Sequence, residues 1–168
     1  MLALVDVPGG KVRWRLNVEE ASDLAYSADG RVLAHLAGIT RLRKLRLPRV
    51  TIEGDGLKRL AGMTQLEELD LNIVRLPRGA LTHLPKLPKL RRLNLSAPNS
   101  FGDDDLKYLT RAPNLEWLYI ESLAGVRGPG LAHLLALKRL RYIHPLAHVT
   151  DEALRPLSQL PKLEQVDR

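Results

Sequence analysis

The 168-residue sequence contains no cysteine, which excludes disulfides, thiolate zinc sites and cysteine nucleophiles. Aromatic residues make up only 4% of the chain, with a single phenylalanine among them, so each tryptophan and tyrosine carries individual weight. No stretch approaches the roughly 18 consecutive apolar residues that would span a bilayer as a helix. The opening MLALVDV lacks a basic leader and a long apolar run and meets an acid at Asp6, which is not the form of a secretory signal. There is no GxSxG, no phosphate loop and no GxGxxG. These absences lead to the expectation of a soluble, cytoplasmic chain without membrane contact.

Leucine and positive charge are plentiful instead. With 45% hydrophobic residues the chain can bury a core as one domain. Lysine and arginine number 26 against 19 acidic residues, a net charge of +7, which raises nucleic acid or another polyanion as a partner. The leucines recur with a period. Leu33, Leu57, Leu81, Leu106, Leu131 and Leu154 each begin a similar segment, at intervals of 24, 24, 25, 25 and 23 residues. Three residues after each start stands another leucine (Leu36, Leu60, Leu84, Leu109, Leu134, Leu157), and nine after it a further one (Leu42, Leu66, Leu90, Leu115, Leu140, Leu163). Twelve after it come Leu45, Leu69, Leu93, Leu118, Ile143 and Val166, and fourteen after it Leu47, Leu71, Leu95 and Ile120, with Pro145 and Arg168 breaking the last column.

Apolar residues three apart suit one face of a short helix, and those two apart suit a strand with one face buried. Each copy therefore pairs a helical turn with a short strand. Neither half buries its apolar side alone, so the copies must stack and share a core. Thr150 and Asp151, Asp103 to Asp105, and Glu53 to Gly56 stand where helix N-caps are needed.

The segments LRKLRLPRV, LEELDLNIV, LRRLNLSAP and LEWLYIESL resemble the LxxLxL core of leucine-rich repeats in the ribonuclease-inhibitor-like superfamily. The helical halves resemble the bacterial VTDEGLxxLxxL variety of planctomycete-type arrays. The resemblance covers residues 33–168 and implies an α/β fold. That fold is a right-handed solenoid bent into a horseshoe arc, with a short parallel sheet on the concave side and short helices on the convex side. It also implies a non-catalytic protein-binding surface. Where the family places Asn or Cys, this chain has Val50, Val74, Pro98, Leu123 and His148, so the side-chain ladder that bonds the ascending loops is missing.

Residues 1–32 do not keep the columns. LALVDVPGGKVRWRLNV reads as two alternating strands about Pro8-Gly9-Gly10, either a β-hairpin that would cap the repeat domain of residues 33–168 or a degenerate first repeat. At the carboxyl edge no terminal helix follows the sixth strand, and the expectation is that a second chain covers this edge, that the sequence is a piece of a longer array, or that the strand frays.

The register also reads out the free face of the sheet. Offsets eleven and thirteen project between the buried leucines: Lys44 and Arg46, Glu68 and Asp70, Arg92 and Asn94, Trp117 and Tyr119, Tyr142 and His144, Gln165 and Asp167. Offset ten alternates in sign as Arg43, Glu67, Arg91, Glu116, Arg141 and Glu164. Adjacent strands lie about 4.8 Å apart, so each base should meet an acid. That alternation weakens polyanion binding, which wants a stripe of one sign. Its best remaining site is the basic patch Arg43, Lys44 and Arg46. Trp117, Tyr119, Tyr142 and His144 form the stronger clue, because a strand face in water ordinarily carries polar residues. With Arg92, Asn94 and Glu121 beside them they have the composition of an interface hot spot. Pro145 removes a backbone donor and should shorten the fifth repeat's strand.

No catalytic residue, cofactor site or metal site is expected. His35, His83 and His133 share one outer helical column, and His144 and His148 have no acid placed beside them. The Asp103-Asp104-Asp105 run lacks the spaced ligands and glycine of a calcium loop. The expected partner is therefore a protein, with nucleic acid second and a second chain at the carboxyl edge third.

Overall fold

The computed structural model describes residues 2–3, 16–17, 40–47, 51–52, 54–96, 101–120, 125–144 and 149–166. Six strands form one parallel sheet in chain order: β3 (Lys44–Arg46), β4 (Glu68–Leu71), β5 (Arg92–Leu95), β6 (Trp117–Tyr119), β7 (Tyr142–His144) and β8 (Gln165–Val166). Every neighbouring pair is in the register that the leucine columns require, with Leu45, Leu69, Leu93, Leu118, Ile143 and Val166 side by side. β7 ends at His144, immediately before Pro145, which lies outside the described residues.

At the amino end, β1 (Leu2–Ala3) pairs antiparallel with β2 (Leu16–Asn17). The rest of the capping segment expected over residues 1–32 lies outside the described residues. Among the described residues, no helix is long and apolar enough to cross a membrane.

The return half of each copy is the short helical segment expected of it. Gly56–Gly62, Ala80–His83, Asp103–Arg111, Pro129–Ala136 and Arg155–Gln159 are 3₁₀ helices, and only the turn α1 (Asp151–Leu154) is α-helical among the described residues. The cause is a third buried column six residues after each start, Met63, Leu87, Ala112, Leu137 and Leu160. Apolar residues at offsets zero, three and six have a period of three, and a 3₁₀ helix stacks residues i and i+3 in line. An α-helix would rotate the third residue off the core.

These three columns and the strand columns pack into one continuous core. Burying one leucine contributes about 1.5–3 kcal/mol, against about 0–1 kcal/mol for an exposed ion pair, so the leucine columns rather than the charge ladder hold the copies together. In the last copy Leu154, Leu163 and Val166 are only partly covered, whereas their counterparts Leu131, Leu140 and Ile143 are fully buried.

The loops hold without the missing Asn or Cys ladder. Val74, in the family's Asn position, is fully buried, and Ile52, Leu76, Phe101 and Val126 extend an apolar column behind the strands. Backbone bonds tie successive loops: Ile52 N–H donates to Arg75 O at 2.9 Å, and Val74 N–H to Ser96 O at 3.0 Å. Val50, Pro98, Leu123 and His148 lie outside the described residues.

Capping follows expectation at two of the three places. Thr150 accepts from Ala153 N, and Asp105 Oδ2 accepts from Gly102 N at 2.9 Å. Asp103 does something more: its carboxylate reaches into the next copy and accepts from the backbone N–H groups of Arg127, Gly128 and Gly130 at 3.1, 3.1 and 2.9 Å. Asp55 makes no side-chain cap. It takes the Lys58 ammonium at 3.0 Å instead, and that bond holds its carboxyl below the usual range.

Candidate functional site

Because side chains alternate along each strand, the sheet turns its leucines inward and sends two rows of residues to the other face. The register lines up Lys44, Glu68, Arg92, Trp117, Tyr142 and Gln165 in one row. Arg46, Asp70, Asn94, Tyr119 and His144 form the second. The face thus changes character along the stack, from charged over β3 to β5 to aromatic over β6 and β7.

Acids meet bases along the stack as the alternation predicts. Arg43 binds Glu67 at 2.7 Å, Arg91 approaches Glu116 at 4.0 Å, and Arg141 binds Glu164 at 2.5 Å. Glu68 gathers three cations, with Arg46 at 2.9 Å, Lys44 at 3.8 Å and Arg92 at 3.9 Å. The basic patch Arg43, Lys44 and Arg46 is therefore set against carboxylates, and a polyanion would have to displace them. Exposed pairs of this kind are weak, so they tune the surface rather than fix the fold.

In the aromatic half, the Trp117 ring stacks on Tyr142 with centroids 4.0 Å apart and lies 6.0 Å from the His144 ring. The Arg92 guanidinium sits 5.6 Å from the Trp117 ring centre, and that of Arg141 5.4 Å from Tyr142. The Tyr142 hydroxyl donates to Glu164 Oε2, and this bond, with Arg141 second, holds the Glu164 carboxyl below its ordinary range. The same contact pushes the Tyr142 phenol up. Trp117 remains 39% exposed; Ile73, at 48%, is the other large exposed apolar side chain among the described residues.

Between the two halves lies a hollow of about 390 Å³, walled by Glu68, Asp70, Arg92, Asn94, Trp117, Tyr119 and His144 over a floor of Leu69 and Leu93. Of the residues expected at a partner site, Trp117, Tyr119, His144, Arg92 and Asn94 line it, Tyr142 backs it through the ring stack, and Glu121 lies outside the described residues. Sequence reasoning misses Glu68 and Asp70 as members. Their place in the two rows is the available signal, but in the sequence they figure only as interruptions of a basic stripe.

Asp70 is the least compensated of these charges. Its Oδ1 accepts from Asn72 N at 3.0 Å, yet burial pushes its carboxyl above the ordinary value and the neighbouring Glu68 adds to that, against the pull of Asn72 and Arg46. Beside it Asn94 Oδ1 is buried without a hydrogen-bond partner. A carboxyl whose folded-state pKa is raised favours folding below its unfolded value and loses that contribution as pH rises through the folded value. Asp70→Asn is therefore expected to gain thermal stability over the wild type as pH goes from 3 to 7, with no gain at the acid end. A difference in melting temperature that stays constant across that range would contradict this reading of Asp70.

Among the described residues, no group of three or more His, Asp and Glu side chains converges as a cation cage would require. No protein-family model matches the sequence, and no curated protein does. Among solved structures, the chain is similar to an internalin, InlF, from Listeria monocytogenes strain 4b F2365. The TM-score is 0.55 at 24% identity, over 79% of this chain and 36% of that one. Internalin C2 of the same strain is also similar, with a TM-score of 0.54 and 21% identity over 79% of this chain and 57% of that one. The fold is a leucine-rich-repeat solenoid. The chain spans about a third to somewhat over half the length of these two proteins. In this leucine-rich-repeat solenoid, the two projecting rows and their hollow belong to the face opposite the leucine core.

Proposed function

We propose that the chain is a non-catalytic protein-binding module that receives its partner on the concave face of the sheet, over Trp117, Tyr142, Tyr119 and His144. The observation that carries this reading is the half-exposed Trp117 ring, stacked on Tyr142 at the rim of a hollow in an otherwise charged face. Rigid aromatic side chains on a preformed sheet lose little conformational freedom on binding, so most of the contact energy is retained as affinity. The helical half VTDEAL supports reading the copies as the bacterial variety of the repeat.

The test is a nuclease-treated pulldown from native lysate with the wild type and with Trp117→Ala/Tyr142→Ala, at low and high salt. A protein retained at high salt by the wild type and lost from the double variant is the expected outcome, since truncating a central aromatic anchor costs about 2 kcal/mol or more. Equal capture by both baits would remove the aromatic cluster from the interface. Capture that falls steeply with salt and depends on Arg43, Lys44 and Arg46 would favour a polyanion partner.

A further inference from the structure

We propose that the hollow beside Trp117 is a receptor for one basic side chain, lysine or arginine, presented by the protein partner. This inference rests on the concave-face reading above and names the chemistry that the hollow selects.

The walls divide into an acceptor side and a ring side. On the acceptor side, Asp70 takes a single hydrogen bond, from Asn72 N, and Asn94 Oδ1 beside it is buried with none. Glu68 completes that wall and has already drawn Arg46, Lys44 and Arg92 to itself. Arg92 is also parked over the Trp117 ring, away from Asp70's row. The hollow thus sets the Asp70 carboxylate and the unsatisfied Asn94 Oδ1 beside the rings of Trp117 and Tyr119, with the Arg92 guanidinium already engaged by Glu68 and Trp117.

Three classes of guest can be compared on these facts. An apolar side chain would fit the rings but would seal Asp70 from water without a new donor and leave Asn94 Oδ1 unpaired. An acidic side chain would bring a third carboxylate beside Glu68 and Asp70. A lysine or arginine lays its methylene stem along the rings and brings donors to the acceptor wall, with only a small turn of the Asn94 amide. Burial already raises the Asp70 carboxyl, so a guest that closes the hollow must offset further desolvation, and a cation brings both charge and donors. The chain's own net charge of +7 repels basic peptides in general, so a preference for them cannot come from bulk attraction.

The experiment uses the full chain against a membrane-bound library of N-acetylated octapeptides of random sequence, with Asp70→Asn and Trp117→Ala in parallel. Thermal melts confirm that both variants fold. Lysine or arginine should be enriched among the retained octapeptides, and Asp70→Asn should lower their retention about tenfold, the loss of one charged hydrogen bond. Enrichment of aspartate or glutamate, no charge preference, or no retention of any octapeptide overturns the inference. Retention without charge preference that Trp117→Ala abolishes would overturn the basic guest and leave concave-face binding in place. Retention indifferent to both variants would overturn both.

Discussion

Gly130→Ala is expected to destabilise the fold by about 3 kcal/mol or more, although the substitution adds one methyl group. A Cβ at Gly130 would lie 2.2 Å from Asp103 O, 2.5 Å from its Cα and 2.6 Å from its carbonyl carbon. All three are backbone atoms of the preceding copy, so no side chain can swing aside to make room. Moving the backbone apart would stretch the bonds that the Asp103 carboxylate makes to Gly128 N and Gly130 N. Gly128 has its own constraint, a φ of +133° and a Cβ position 2.3 Å from Ala153 Cβ. The expected cost combines overpacking, about 1–3 kcal/mol, with weakened, partly buried hydrogen bonds at about 1 kcal/mol each. Gly79→Ala is the control: its φ is +72° but nothing lies within 4 Å of the added carbon, so only the left-handed backbone is strained, at about 1–2 kcal/mol. Urea unfolding of the two variants measures the difference. Equal losses would show that the loops of neighbouring copies separate freely and that Asp103 does not clamp them.

That clamp cannot be read from the sequence, and the reason is physical. The leucine columns are periodic because one packing problem is solved again in every copy, and so the register of all six strands and the two projecting rows follow from spacing alone. Trp117, Tyr119, Tyr142 and His144 are placed together by that register. Asp103 occurs in one copy, and its three acceptances depend on how closely two loops approach, which no spacing records. The same holds for the electrostatics of the hollow. Glu68 and Asp70 are both acids two residues apart, but Glu68 has three cations within reach while Asp70 is partly buried with one donor. The 3₁₀ geometry stands in the sequence as the column Met63, Leu87, Ala112, Leu137 and Leu160, and escapes a search for leucine because two of its members are alanine and methionine.

Leu118→Ala should cost about 2–5 kcal/mol, and Leu163→Ala, the same chemical change, about 1–2 kcal/mol. Leu118 is fully buried on β6, between Leu93 on β5 and Ile143 on β7. Leu163 sits in the last copy and is only partly covered. A solenoid's stability is close to a sum of each copy's own contribution and its contacts with its two neighbours, so a central residue loses support on both sides and a terminal one on a single side. The consequence reaches the site, because Trp117 and Tyr119 flank Leu118 and project from the opposite face of its strand. A cavity beneath β6 lets that strand settle, and the ring stack with Tyr142, held at 4.0 Å, moves with it. Leu118→Ala should therefore weaken partner capture as well as stability, whereas Leu163→Ala should lower stability and leave capture at the wild-type level. Urea unfolding together with the pulldown separates the two effects. Equal costs for the two leucines would mean that the stack unfolds as one block, and the rings would then gain no rigidity from standing over a strand covered on both sides.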